Sequence, residues 1–153
     1  MSYYTIEQIE DALIAGLDTL KGSLGVRTIK SYQGELEEGD IKKMVVRFPA
    51  IYVVYGGSEY ADHGARRVES MTFHHFVCDK NLRAEDQARR GGNQNPGTYA
   101  MLDAIRDELY GARLSLEIEP IRLVRQEAVW FESGISVYGA EYVTAQALLF
   151  PAA

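Results

Sequence analysis

Phe48-Pro49-Ala50-Ile51-Tyr52-Val53-Val54-Tyr55 is the stretch that decides the fold. It contains no charge, so neither face of an extended chain built from it favours water. Such a strand belongs inside a sheet, with cover on both sides. Gly56-Gly57 punctuates its end, and Ser58–Ala65 reads as a loop.

Toward the N-terminus, Thr5-Ile6-Glu7-Gln8 fits a capping box, in which a hydroxyl and an amide satisfy each other's backbone N–H groups. Ile6, Ile9, Leu13, Leu17 and Leu20 follow at helical spacing and predict a helix from Thr5 to Lys21, ended by Gly22 and Gly25. Val26–Tyr32 reads as a strand and Gly34–Asp40 as an acidic segment. Toward the C-terminus, Val68–Asp79 is long enough for an extended strand or hairpin arm. Asn95 as N-cap and Pro96 at the first helical position open a second helix, with the stripe Tyr99, Leu102, Ile105 and Leu109 and a cap at Gly111. Ile121–Gln126, Ala128–Tyr138 and Tyr142–Phe150 read as strands, the last two separated by a turn at Gly139-Ala140. In the final strand Val143, Ala145, Ala147 and Leu149 share one face, and their size suits a close-packed helix above it. Together these elements predict an α+β fold: a mostly antiparallel sheet with two helices packed on one face. No repeat or boundary interrupts it, so residues 1–153 are expected to form a single domain with an extended loop at 80–97.

Composition narrows the function classes. The hydrophobic fraction of 46% and charged fraction of 25% fit a soluble globular domain, and no apolar run has the length to cross a bilayer. MSYYTIEQIED lacks the basic and apolar regions of an export signal. The single Cys78 leaves no internal disulfide and no multi-cysteine zinc site. A net charge of −6 disfavours general nucleic-acid binding, which needs cations to neutralise phosphates. Ten tyrosines are many for this length, and tyrosine suits surfaces that are alternately wet and covered.

The polar interruption KNLRAEDQARRGGNQNPG, Lys80–Gly97, is the first place to look for function, because long connections in compact domains are commonly arms, lids or linkers. It offers no hydrophobic residue beyond Leu82 except two alanines, so the sequence predicts an arm with little part in the core. Arg83, Arg89 and Arg90, mixed with Glu85 and Asp86, read either as anchors on a neighbouring subunit or as a solvated mixed-charge loop. Tyr55, Tyr60 and Tyr99 are further interface candidates.

Catalytic and metal motifs are weak. Alternation puts His74 and Cys78 on one face of a strand and His75 on the other, which is a poor zinc site. Gly56-Gly57 and Gly91-Gly92 lead into no Lys-Ser/Thr pair and read as turns. Ser58, Asp62 and His63 are loop neighbours with little prospect of triad geometry, and Glu37-Glu38 reads as a solvated acidic turn. No catalytic residue, cofactor or metal is expected.

Three segments carry a resemblance: TIEQIEDALIAGL, FPAIYVVYGG and the block DKNLRAEDQARRG…GTYAMLDAIRDELYG. The chain resembles the Mu-like phage family of small tail proteins called gene product thirty-seven, related in fold to tail terminators. The resemblance implies a virion structural protein of the tail, made in the host cytoplasm. It acts as a homo-hexameric ring that ends tail-tube polymerisation and presents a head-joining surface. The implied partners are further copies of itself, the tail tube protein and a head–tail connector or stopper. Viral DNA would pass through the lumen without specific binding, and no membrane is involved. Six copies of a −6 chain would carry −36, which suits a lumen that repels DNA. A connector or stopper role is the nearest alternative. Outside that class stand a small hydrolase or nucleotide-binding protein with an unrecognised site, and an accessory DNA-binding protein.

Overall fold

A computed structural model describes residues 3–34, 36 and 46–149. The elements are α1 (Ile6–Gly16), α2 (Leu20–Ser23), β1 (Thr28–Ser31), β2 (Ala50–His63), β3 (Arg66–Lys80), α3 (Glu85–Arg90), α4 (Thr98–Leu109), β4 (Arg122–Glu132) and β5 (Ile135–Leu149). They form an α+β fold around a five-stranded sheet of order β1-β2-β3-β5-β4. Among the described residues, only the β1–β2 pair is parallel. The acidic turn expected at Glu37-Glu38 lies outside the described residues.

Ala50–Val53 is buried on both faces, as its composition demands. Ile51 and Val53 join the main core beneath α1 and α4, with Ile9, Leu13, Phe73, Ile105 and Tyr142. Ala50 and Tyr52 face the other way, into a smaller cluster with Leu36, Cys78 and Val137. The capping box at the start of α1 is formed: Gln8 N donates to Thr5 Oγ1 at 3.1 Å, and Thr5 N donates to Gln8 Oε1 at 2.9 Å. The expected helix from Thr5 to Lys21 is nevertheless split. After Gly16 the backbone bonds shorten to i→i−3 spacing, with Leu17 N on Ile14 O and Leu20 N on Leu17 O. That tighter turn keeps both Leu17 and Leu20 in the core.

Four expectations are corrected by the strands. Gly56-Gly57 does not end β2. A bulge between Tyr55 and Gly57 absorbs one residue, Gly57 takes φ +124°, and pairing resumes as far as His63↔Arg66. The stretch expected as a loop, Ser58–Ala65, is therefore the outer half of a long β-hairpin and its tip. Residues 59–67 are exposed throughout, which explains why they lack an apolar alternation. Similarly, β5 runs straight through Gly139-Ala140. The turn lies at Ser133-Gly134, where both residues have positive φ, the geometry that tight two-residue hairpins prefer. Gly139 instead lies beneath the Phe76 ring, which a Cβ would approach to 3.4 Å.

The helix-covered face of β5 is also the opposite of the expected one. Ala140 and Tyr142 belong to the main core, so strand alternation turns Val143, Ala145 and Ala147 to the other face. Finally, α4 begins at Thr98 with Gly97 as its N-cap, rather than at Asn95-Pro96. Its buried stripe is Met101, Leu102, Ile105 and Leu109, and it leaves Tyr99 exposed.

Candidate assembly surface

The interruption at 80–97 is a folded segment containing α3, which corrects the expected extended loop. Ala88 is buried, and polar side chains hold the rest. Asp79, 1% exposed at the end of β3, accepts from Asn95 Nδ2 at 2.8 Å, Gly97 N at 2.7 Å and Lys80 N at 2.8 Å. Burial pushes its carboxyl above the usual carboxylate range, although these three donors pull the other way. Asn81 donates to Asn95 Oδ1 and Gln87 Oε1, and its own Oδ1 accepts from Arg83 N and Ala84 N just ahead of α3. Asn95 was expected to cap α4, but its amide is committed to Asp79 and to Gln87 O. Gly97 takes over at φ +86°, where a Cβ would collide with backbone atoms of Arg89 and Gly91.

This anchoring fixes where the candidate residues point. Arg89 lies over the Phe131 ring at 5.5 Å, and Phe131 packs on Tyr138, which meets Tyr99 edge-on. The hydrogen bond with Tyr138, helped by Arg89 and Arg90, lowers the pKa of the Tyr99 hydroxyl. Arg89 and Tyr99 therefore share one surface. Arg83, Glu85, Asp86 and Arg90 are exposed on the same segment. The surface continues along β4, an edge strand. Val124 and Val129, 55% and 45% exposed, are the extra residues of its two bulges. Edge strands usually carry charge at such positions. Two bulged valines and an exposed Phe131, spaced along the strand, leave this edge with an apolar rim.

Tyr55 and Tyr60 belong elsewhere, at the root of the long hairpin. Tyr55 packs on Phe73, and its hydroxyl contacts Ser58 Oγ. Ser58 Oγ and Tyr60 OH both donate to Glu69 Oε2 at 2.9 Å, while Gln146 Nε2 donates to Glu69 Oε1 at 3.0 Å. The bond to Glu69 raises the pKa of Tyr60. Tyr55 is thus an internal strut, whereas the exposed Tyr60 ring carries Arg67 over it at 5.3 Å. The projecting arm of this protein is the β2–β3 hairpin.

Sequence reading missed a cleft of about 530 Å³ where β2 begins and β3 ends. Its lining includes Arg27, Arg47, Phe48, Lys80, Asn81 and Arg83, with no Asp or Glu among the described residues. These cations come from three separate segments, so no local motif announces them.

The chemistry candidates are dispersed. Ser58 is bonded to Glu69, Asp62 pairs with Arg67 at 3.4 Å, and no serine or threonine hydroxyl among the described residues is hydrogen-bonded to a histidine. His74 faces Glu141 at 3.8 Å, Cys78 is buried, and His75 packs edge-on against Tyr142. No three His, Cys, Asp or Glu side chains among the described residues gather to hold a metal ion.

Residues 5–147, from the N-cap of α1 to within two residues of the end of β5, match the model of the family described as Bacteriophage Mu, Gp37. No curated protein sequence matches the chain. Among solved structures, it is similar to a chain in the virion of a native gene transfer agent particle, with a TM-score of 0.59 and 16% identity. The match covers 94% of this chain and 98% of that one, and at this identity it bears on the fold alone.

Proposed function

We propose that this chain, which belongs to the Bacteriophage Mu, Gp37 family, is a virion structural protein that completes the tail as its terminator. It caps the tail tube as a ring, most simply a hexamer, stops further addition of tube subunits and offers a face for head joining. The observation that carries this reading is the family match over nearly every element of the fold. The fold it shares with a chain in the virion of a native gene transfer agent particle is compatible with a virion structural role.

Surface physics fits a role in assembly. A closed ring needs two unlike patches on each subunit, one to meet the other on the next copy. The two sheet edges here differ sharply: β1 is a four-residue strand, whereas β4 has eleven residues and an apolar rim. The exposed hairpin arm is a third feature suited to reaching a neighbour. The loop arginines and Tyr99 act as contacts on the β4 side, and Tyr60 acts on the hairpin.

Mixing the purified protein with polymerising tube protein and imaging the products tests the reading. Rings seated on tube ends, with tube growth halted, are expected. A protein that remains monomeric and leaves tube growth unchanged overturns it. A ring that binds the head-side connector but never the tube would reassign the protein to the connector or stopper role.

A further inference from the structure

We infer that the cleft lined by Arg27, Arg47, Lys80 and Arg83 is the socket for the acidic helical surface of a second copy of this chain. The inference rests on the ring proposed above and specifies one of its interfaces.

The cleft concentrates positive charge in an acidic protein. All four cations are exposed, and none forms an ion pair with a carboxylate among the described residues. The acid next to Lys80 in sequence, Asp79, is buried and saturated by Lys80 N, Asn95 Nδ2 and Gly97 N, so it does not reach the cleft. Lys80 also lies over Phe48, which gives the cleft an apolar wall.

The available donors favour carboxylates over phosphate. Phosphate cradles are built from free backbone N–H groups. Here those groups are already taken: Gly97 N by Asp79, Gly92 N by Asn95 O, and Arg83 N and Ala84 N by Asn81. What remains is a set of long, separate cationic side chains, suited to several carboxylates spread over a surface. A net charge of −6 also opposes approach to a nucleic acid.

A second copy supplies such a surface. Glu7, Glu10 and Asp11 on α1, with Asp107 and Glu108 on α4, form no ion pair among the described residues. These helices cover one face of the sheet, whereas Phe48 in the cleft packs into the cluster on the other. Two complementary patches on different sides of one molecule make a heterologous contact, the kind that closes rings. Like charges brought together at such a contact repel, so reversal of either patch should be read strongly.

The test uses charge reversal in the full chain, followed by mass photometry with tube protein present, and far-UV circular dichroism to confirm folding. Arg47→Glu with Arg83→Glu, and separately Asp11→Lys with Asp107→Lys, should each weaken ring formation by about tenfold or more. All four changes in one chain, or a one-to-one mixture of the two double variants, should restore it, because each reversed patch then meets a reversed partner. Wild-type rings that disperse in high salt are expected as well.

If the Arg47/Arg83 variant assembles like the wild type, or if no combination rescues assembly, the socket assignment is wrong while the ring stands. If that variant assembles normally but loses retention on DNA, the cleft is a phosphate site and the inference is overturned. A wild-type protein that forms no ring under any condition removes both the inference and the function it rests on.

Discussion

Replacing Asp79 with alanine should loosen the whole segment from Lys80 to Gly97. The wild-type carboxylate accepts three N–H donors at 2.7–2.8 Å from a site only 1% exposed. The Lys80 N bond is only part-buried and Asn95 Nδ2 keeps its bond to Gln87 O, so the donor left stranded is the buried Gly97 N. The buried bond from Gly97 N and the part-buried one from Asn95 Nδ2 are worth about 3–4 kcal/mol together. The burial that raises the carboxyl's pKa offsets part of that, leaving a net loss of about 2–3 kcal/mol. For a chain of this size such a loss lowers Tm by roughly 5–10 °C.

The pH dependence has a definite sign. A folded-state pKa above the unfolded value means that the native state holds the proton more tightly. The stabilisation is therefore present at low pH and lost as pH rises through the folded pKa. The alanine variant lacks it, so its deficit should widen on acidification from neutral pH toward the ordinary carboxylate range. Urea unfolding of both proteins across that range measures the gap, and contributions from other groups cancel in the difference. A variant within about 0.5 kcal/mol of wild type at neutral pH refutes the anchoring role, since ordinary surface changes fall in that band. A deficit that narrows on acidification refutes the dominance of burial.

Three other outcomes follow from the same packing. Burial lowers His75 to about 4, so the unfolded chain takes the proton first and stability should fall by about 3 kcal/mol as pH drops from 6.5 to 4, a slope that His75→Gln should remove in urea titrations. Gly97→Ala, at φ +86° and against the backbone of Arg89 and Gly91, should cost about 2 kcal/mol or more by thermal unfolding, with an unchanged Tm as the contrary result. Phe131→Ala removes the half-exposed ring under Arg89, and should leave Tm nearly unchanged while weakening ring formation by about tenfold in mass photometry.

The parts of the fold legible in the sequence are those with a local physical signature. Thr5 and Gln8 carry their cap in four residues, and Ala50–Val53 announces burial on both faces by composition alone. The outer half of the hairpin was hidden because it is exposed and has no apolar alternation, and because two glycines that mark a bulge look the same as two that mark a turn. Ser133-Gly134 is a turn and Gly139 is not, a difference set by the Phe76 ring lying across the sheet from Gly139.

The candidate surface divides in the same way. Arg89 and Tyr99 were separate candidates in the sequence, and only the fold brings them together, with Phe131 and Tyr138 between them. Tyr55 looked like an anchor until its hydroxyl was found against Ser58, beside Glu69. The network of Asp79, Asn81, Gln87 and Asn95 spans the whole interruption, and amide hydrogen bonding leaves no periodic trace in a sequence. The segment therefore read as a free arm although its side chains tie it down.

Electron microscopy of tail tubes assembled with and without this protein tests the central claim most directly. The account predicts a six-fold ring of this chain on tube ends, with elongation stopped once the ring is seated. Tubes that elongate equally with or without the protein, and carry none of it at their ends, would contradict it.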